Sequence, residues 1–327
     1  MTGDWALGNA VKPSMAIRVG TWLRVHPWVW VYVGSAAMWA AVSVANGRVN
    51  LGVISAVFAL TPFLVLVGLG QMFVITLGNG HTDLTVPNVL SLSAFVATLT
   101  IGASGSILAG FAVAIGLAGI VALLNTGVIV GLRVPSMVAT LAAGLILQSA
   151  TTAVAGRGGA LADPTLSDFA HATPFGVSVL ATACLGVTAV LWFVLRKTTF
   201  GRGVLAMGQS QSAAVFSGVP AGRVVFLTYF ISALMAATAG VLLGSFSAPN
   251  LALGDPYLLN SIAVVVLGGS LISGGRSNLP GIWGAALFLL LLNTLLSTLN
   301  ISVASQNIMK GALIILVLAL VGAKEKR

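Results

Sequence analysis

The feature that most constrains this chain is an apolar character that runs from about Pro27 to Gly322 without a polar linker. Only 6% of the 327 residues are charged and 58% are hydrophobic, whereas a soluble domain carries about a quarter charged residues. Six acidic and fifteen basic side chains cannot cover a soluble protein of this length, but a surface that faces lipid needs no polar cover. The sequence therefore predicts an all-α polytopic membrane protein with the lipid bilayer as its solvent.

Stretches of about 20 apolar residues indicate transmembrane helices, because ~30 Å of hydrocarbon divided by a rise of 1.5 Å per residue requires that length. About ten such stretches follow one another along the chain. They are Pro27–Asn46, Leu51–Leu77, Asn88–Ile101, Gly105–Val130, Pro135–Val154, Phe175–Leu195, Val224–Phe246, Leu258–Ile272, Gly281–Leu299 and Ser305–Val321. Residues 1–26 are thus predicted to be a cytoplasmic N-terminal segment, 27–323 a single transmembrane domain and 324–327 a basic C-terminal tail.

Lysine and arginine predict the orientation of these spans, because basic residues collect in the cytoplasmic segments of membrane proteins. With the N-terminus inside, the inner segments contain Lys12, Arg18, Arg24, Arg133, Arg196, Lys197, Arg202, Arg223, Arg276, Lys324, Lys326 and Arg327, and the outer loops only Arg48 and Arg157. Both termini are therefore predicted to be cytoplasmic. The same bias explains the net charge of +9, so we predict no nucleic-acid partner. Lys310 is left within the last span, where it either extends to the outer surface or serves a function.

The third and eighth predicted spans are short, and each is the third span of a five-span half. Because five is odd, the second half would be inverted relative to the first, and paired short or broken helices in such halves point to a transport site. Asp83 and Asn88 stand at the start of the third span, and Asp255 and Asn260 at the start of the eighth. Turn-forming and helix-capping roles are the alternative explanation for these residue types. The predicted pathway residues are Gln71, Asp83, Asn88, Asn260 and Ser261.

Residues 196–223 form the longest predicted cytoplasmic connection, and within them Gln209–Val219 is predicted to be helical. Ser210 or Ser212 can cap the start of this helix, and Gly218 can end it. The helix presents small side chains, which suit a protein partner better than lipid, because helices that lie on a membrane bury bulky apolar side chains. The predicted docking residues are Gln209, Ser210, Ala213, Ala214, Ser217, Gly218 and Arg223.

The chemistry that the sequence lacks is also informative. No Gly-Lys dipeptide occurs, so a standard phosphate-binding loop is excluded. His26, His81 and His171 are dispersed and Cys184 is the only cysteine, which argues against a metal site or a hydrolase triad. We therefore predict no catalytic, cofactor or metal site in this chain, and expect any ATP and Mg²⁺ to be bound by a partner.

Several longer motifs allow a comparison with known families. They are Gly203-Val-Leu-Ala-Met-Gly-Gln, Ala213-Ala-Val-Phe-Ser-Gly-Val, Ala239-Gly-Val-Leu, Ile262-Ala-Val-Val-Val-Leu-Gly-Gly-Ser, Gly274-Gly-Arg, Lys310-Gly-Ala, Asp83-Leu-Thr-Val with Leu90-Ser-Leu-Ser-Ala, and Leu132-Arg-Val-Pro with Val138-Ala-Thr-Leu. In these motifs, from about Phe58 to Leu318, the sequence resembles the permease subunits of bacterial ribose-type ABC importers. It departs from them at Gly78-Asn-Gly-His-Thr-Asp83, where most members have a shorter Gly-Gly-Ile-Asp, and at Pro87, which replaces the usual glycine.

The resemblance implies a permease that imports a monosaccharide or a similar small polyol through the bacterial cytoplasmic (inner) membrane. The implied partners are a second permease, identical or paralogous, an ABC ATPase subunit and an extracytoplasmic sugar-binding protein, with the 209–219 helix as the coupling helix held by the ATPase. An ion-coupled secondary transporter or a passive channel for a small neutral solute is the alternative. Few ionisable residues lie within the spans, which disfavours ion coupling, and a channel gives no reason for the docking helix.

Overall fold

The computed structural model describes residues 28–47, 49, 51–156 and 163–325, and these parts of the chain are helical without any strand. In chain order the helices are α1 Val29–Ala45, α2 Leu51–Thr76, α3 Val86–Ser104, α4 Ile107–Thr126, α5 Ser136–Ala155, α6 Pro164–His171, α7 Val179–Lys197, α8 Thr199–Gln209, α9 Gln211–Phe216, α10 Ala221–Ser247, α11 Asp255–Leu267, α12 Leu279–Thr298 and α13 Val303–Glu325. A π-helical turn, Gly127–Gly131, extends α4, and a 3₁₀ turn, Pro174–Gly176, precedes α7.

Each of the ten predicted spans overlaps one of these helices. In the described part of the chain, seven helices are long and apolar enough to cross a membrane, namely α2, α3, α4 with its π-helical turn, α5, α7, α10 and α12. Helices α1 and α11 are apolar but shorter. The chain is therefore a polytopic all-α membrane protein, while the count of ten spans and the orientation of the termini stay predictions. The predicted N-terminal segment, Arg48, Arg157 and the last two residues lie outside the described residues.

The prediction of a short third span is wrong. Helix α3 has 19 residues: it begins at Val86, with Pro87 in the first turn, where a proline is tolerated, and it runs through Gly102 to Ser104. The hydroxyls of Thr100 and Ser104 donate to carbonyls one turn earlier, and the helix ends only at Gly105, which has a left-handed φ of 65°.

The eighth span is short, as predicted, but its boundaries differ. Helix α11 has 13 residues, starting at Asp255 and ending at Leu267. It therefore begins three residues before the predicted Leu258 and ends five before Ile272. Gly269, with a φ of 83°, stops it early, because a left-handed residue cannot continue an α-helix.

Helix α10 lies at the centre of the fold and packs against α2, α3 and α4. Its contact with α3 is close: a Cβ atom added at Gly240 would lie 2.2 Å from the carbonyl oxygen of Leu90. Further along, a Cβ atom added at Gly244 would lie 2.8 Å from the Cβ atom of Ala94. The two helices thus run in the same direction, with small residues letting the backbones meet, as is common in membrane proteins. Around this centre, α12 packs on α1 and α2, and α5 on α3 and α4.

The start of α11 meets the start of α3 inside the protein. A Cβ atom at Gly254 would lie 1.9 Å from the carbonyl oxygen of Pro87, and the Gly254 amide donates to Ser91 Oγ at 2.9 Å. Gly240 on α10 lies against Leu90, whereas Gly254 lies against Pro87, which is nearer to the start of α3. After α10 ends at Ser247, the chain therefore turns back along α10, beyond the level of Gly240, before α11 begins. The two helix starts that the sequence singles out therefore lie side by side.

This contact generates a stability prediction. We expect Gly254→Ala to lower the free energy of unfolding by about 3 kcal/mol or more, because the added methyl group cannot be placed without moving the backbone of α3. The measurement is thermal unfolding of the purified protein in mild detergent. Gly102→Ala is the matched control: nothing lies within 4 Å of its added Cβ, and alanine favours a helix by up to ~1 kcal/mol. Equal melting temperatures for the two variants would contradict the close contact.

Candidate functional site

Asp83 is the centre of a buried polar cluster between α2 and α3. Its side chain is only 1% exposed. The backbone N–H of Thr85 donates to Asp83 Oδ1 at 3.0 Å, and the Thr85 hydroxyl donates to the same oxygen. The hydroxyl of Ser232 on α10 donates to Oδ2 at 2.8 Å. The carboxylate therefore accepts hydrogen bonds from the start of α3 and connects that start to α10. This is the helix-capping role, the alternative to a place in the solute pathway.

The loop before Asp83 is held between α5 and α10. Ser136 Oγ donates to the Gly80 carbonyl at 3.2 Å, and the Thr82 amide faces the same hydroxyl at 3.4 Å. On the other side, the buried Tyr229 hydroxyl donates to the Thr82 carbonyl at 3.4 Å and lies 3.2 Å from His81 Nδ1. Two helices, α5 and α10, thus hold the loop in which the sequence was expected to depart from the family pattern.

The same loop reaches helices α8 and α9, which belong to the predicted cytoplasmic connection. Asn79, with a left-handed φ of 51°, donates from its side-chain amide to the Gln211 side-chain oxygen on α9. Next to it, a Cβ at Gly78 would lie 2.8 Å from the Ser273 carbonyl and 3.0 Å from that of Gly208. A continuous line of contacts therefore runs from α9 through residues 78–82 to Asp83.

Most residues of this line are not predictable from the sequence. Asn79, Tyr229, Ser232 and Gln211 were not among the predicted site residues, and His81 was considered only as a dispersed histidine. The one signal in the sequence is the unusual length of the Gly78–Asp83 loop. Its partners lie 54 to 149 residues away along the chain, so no local pattern could identify them.

The remaining predicted pathway residues lie around the same region. Gln71 is fully buried, and neither its amide nitrogen nor its oxygen has a hydrogen-bond partner. Its neighbour Gly70 packs on Ser232, whose Cα would lie 2.9 Å from a Cβ added there. Gln71 is therefore next to the turn of α10 that holds Asp83. A buried amide without partners is costly and uncommon in a packed interior.

Asn88, Asn260 and Ser261 belong to the first two turns of α3 and α11. Asn88 is half-buried, and its side-chain nitrogen would lie 2.9 Å from a Cβ at Gly144 on α5. Asn260 and Ser261 are buried, and the Ser261 hydroxyl donates to the Leu258 carbonyl within its own helix. The contact between Pro87 and Gly254 brings the starts of these two helices together, but Ser261 satisfies a backbone group locally.

The predicted cytoplasmic helix is shorter than expected. The predicted range Gln209–Val219 is divided between the end of α8 and the six-residue helix α9. Ser210, extended at φ −162°, separates them, and its Oγ accepts the Ala213 amide at 3.4 Å. Ser210 rather than Ser212 is therefore the N-cap. Gly218, with a φ of 85°, follows the end of α9.

The predicted docking face of this helix is wrong in one respect. Ala214 is 5% exposed and packs against the rest of the chain, whereas Phe216 is 92% exposed. Val215 is exposed beside it. The exposed members of the predicted set are Gln209, Ser210, Ala213, Ser217, Gly218 and Arg223. The outward face of α9 therefore combines polar residues with one bulky aromatic side chain.

An open groove of about 670 Å³ adjoins this face, lined by Asn79, Gln209, Ser210, Gln211, Ser212, Val215 and Phe216. Arg223 lies apart from it, in the first turn of α10. Lys310 is half-buried on α13, and its role stays open. Within the described residues, no three His, Cys, Asp or Glu side chains are grouped closely enough to hold a metal ion.

Comparison with known proteins identifies the family. Residues 53–318 match the family model of the branched-chain amino acid transport system permease component. The chain belongs to this family. It is 30% identical over 243 residues to the ribose import permease protein of Escherichia coli K12, covering 72% of this chain and 75% of that protein.

Two further relatives are also import permeases. The L-arabinose ABC transporter permease protein of Azospirillum brasilense is 29% identical over 253 residues, 75% of this chain and 73% of that protein. The autoinducer 2 import system permease protein of E. coli SMS-3-5 is 32% identical over 203 residues, 60% of this chain and 62% of that protein. No solved structure matches the chain. The resemblance to sugar permeases of ABC importers is thus confirmed, and these relatives are transport proteins rather than enzymes.

The hydrogen bonds of Asp83 generate the second prediction. We expect Asp83→Ala to lower the free energy of unfolding by about 3 kcal/mol, because it leaves the Thr85 and Ser232 donors buried without an acceptor. Asp163→Ala is the control: Asp163 caps α6 by accepting the Leu166 amide at 3.0 Å, and loss of a partly exposed cap costs about 1 kcal/mol. Thermal unfolding in detergent measures both. An Asp83→Ala variant no less stable than Asp163→Ala would refute the structural role of this carboxylate.

Proposed function

We propose that this chain is the transmembrane permease subunit of an ATP-driven importer for a monosaccharide or a similar small polyol. The observation that carries the proposal is the family match over residues 53–318, together with relatives named for ribose and L-arabinose. The proposed setting is the bacterial cytoplasmic membrane, with ten spans in two inverted halves and both termini inside. The basic residues of the predicted inner segments support this orientation.

Energy for transport would come from other chains. The sequence has no Gly-Lys dipeptide, so a partner ABC ATPase would bind ATP and Mg²⁺ and hydrolyse the nucleotide. A second permease, identical or paralogous, would complete the pathway, and an extracytoplasmic binding protein would deliver the solute. We propose that α9 is the coupling helix and that Phe216 inserts into the ATPase, since large aromatic side chains commonly anchor protein interfaces.

The contacts around Asp83 suggest how movement of α9 reaches the pathway. Asn79 joins α9 to the loop, the loop is bonded to α5 and α10, and Asp83 fixes the start of α3. Since the start of α3 touches the start of α11, a shift of α9 would be transmitted to both helix starts. In this proposal Gln71, Asn88, Asn260 and Ser261 lie along or beside the solute pathway, and Asp83 is a positioning residue.

An ion-coupled secondary transporter remains the second candidate, because it too uses broken helices in inverted halves. The two functions differ in their energy source. We expect uptake by vesicles that contain the purified complex to require ATP and a co-purified ATPase, and to persist when ion gradients are collapsed by ionophores. Radiolabelled ribose and arabinose are the first solutes to measure. Uptake driven by a proton or sodium gradient without any ATPase would refute the importer proposal.

The coupling assignment has a separate test. We expect Phe216→Asp to reduce the co-purified ATPase more than about tenfold, because an interface anchor contributes ~2 kcal/mol or more. The chain should still insert, since the side chain is exposed. Phe169→Asp is the control: it also replaces an exposed phenylalanine, but on α6, at the predicted outer surface. If Phe216→Asp retains its ATPase, α9 does not dock through this residue, whatever the energy source.

A further inference from the structure

A second cytoplasmic pocket, of about 460 Å³, lies between α8 and the first turns of α10. Four of the lining residues from α8 follow the spacing i, i+3, i+4 and i+7 and form one face of that helix, namely Thr199, Arg202, Gly203 and Ala206; Phe200 lies beside this face. The turn between α9 and α10 closes one side. The lining residues are Thr199, Phe200, Arg202, Gly203, Ala206, Ser217, Gly218, Val219, Pro220, Arg223, Val224 and Leu227.

The charge of this pocket is positive. Arg202 and Arg223 both line it and both are exposed, and no acidic residue is among the lining residues. Arg196 and Lys197, in the last turn of α7, precede α8 along the chain and are also basic. The buried carboxylate of Asp83 is already held by Thr85 and Ser232. An anion is therefore the ligand class that this pocket favours, because guanidinium groups bind phosphate oxygens through paired hydrogen bonds.

One wall of the pocket is apolar. Phe200, Val224 and Leu227 form this wall, and Leu227 is 37% exposed in the second turn of a helix long enough to cross a bilayer. A free anion would leave this wall uncovered. An anion that carries an acyl chain would cover it, since burial of apolar surface is favourable.

The N-terminal segment of the chain is a poor occupant on grounds of charge. Residues 1–27 contain Lys12, Arg18 and Arg24 against a single Asp4. They would place further positive charge beside Arg202 and Arg223. The bilayer supplies an occupant of the opposite sign, because anionic lipids are concentrated near basic pockets on the cytoplasmic side of membrane proteins.

We propose that this pocket binds an anionic phospholipid of the cytoplasmic leaflet, with the phosphate between Arg202 and Arg223 and an acyl chain along α10 at Leu227. The lipid anchors the junction of α8 and α10, from which α9 projects. The site uses the predicted orientation of the chain but is independent of the transported solute and of the energy source.

The test measures which lipids the purified full-length chain retains. The protein is reconstituted in nanodiscs of equimolar phosphatidylglycerol and phosphatidylcholine, extracted in mild detergent, and analysed by native mass spectrometry. We expect an excess of bound phosphatidylglycerol on the wild type. Arg202→Gln with Arg223→Gln should reduce this excess about fivefold for each arginine removed, equivalent to ~1 kcal/mol per basic residue. Arg276→Gln, which removes an exposed arginine outside the pocket, should leave it unchanged.

The variants also separate lipid from other ligands. Arg202→Lys with Arg223→Lys keeps the charge and should retain most of the phosphatidylglycerol, which controls for misfolding of the glutamine variant. Equal retention by the wild type and the glutamine variant would overturn the proposal, as would an equal loss in Arg276→Gln. Complete displacement by millimolar inorganic phosphate would assign the pocket to a free anion. Unchanged lipid retention with loss of a co-purified ATPase would assign it to a protein partner.

Discussion

The backbone contact between Gly254 and Pro87 is the constraint on which the arrangement of the interior depends. A non-helical segment can enter a membrane domain only where protein surrounds it, since lipid cannot satisfy its backbone groups. Here the chain turns back after α10, and the Gly254 amide donates a hydrogen bond to the Ser91 hydroxyl. Because glycine leaves no side chain between the two backbones, α11 begins directly against α3. Neither helix start can move far without the other.

The start of α3 is fixed a second time by Asp83. Its two carboxylate oxygens accept three hydrogen bonds, two from Thr85 and one from Ser232. This explains how an acidic residue can be buried in so apolar a chain, since a buried carboxylate is stable only when donors replace its hydration. It also bears on sodium coupling, because a carboxylate whose oxygens already accept hydrogen bonds from its own fold is a poor ligand for a metal cation. The proposal that a separate ATPase supplies the energy for transport fits this chemistry.

The sequence predicts the membrane helices well because the bilayer imposes a simple rule of length and polarity. The prediction Leu51–Leu77 differs from α2 by one residue. The errors occur where local structure overrides that rule. Helix α3 continues through Gly102 to Ser104, because a glycine ends a helix only where it adopts a left-handed φ, as Gly105 does, and a pattern of apolar residues does not reveal which glycine this is. Whether Ala214 or Phe216 faces outward depends on the turn at Ser210, and a six-residue helix is too short for periodicity to show its buried face.

The interior and the surface formed by α9 are connected by contacts that are distant in sequence. Asn79 and Gln211 are separated by 132 residues, yet their hydrogen bond joins α9 to the loop that ends at Asp83. The same loop accepts hydrogen bonds from Ser136 on α5 and Tyr229 on α10. A loop held by several hydrogen bonds transmits a displacement better than a free loop, because few changes within the loop can absorb the displacement. In the proposed mechanism, the Gly78–Asp83 loop therefore links α9 to the paired starts of α3 and α11.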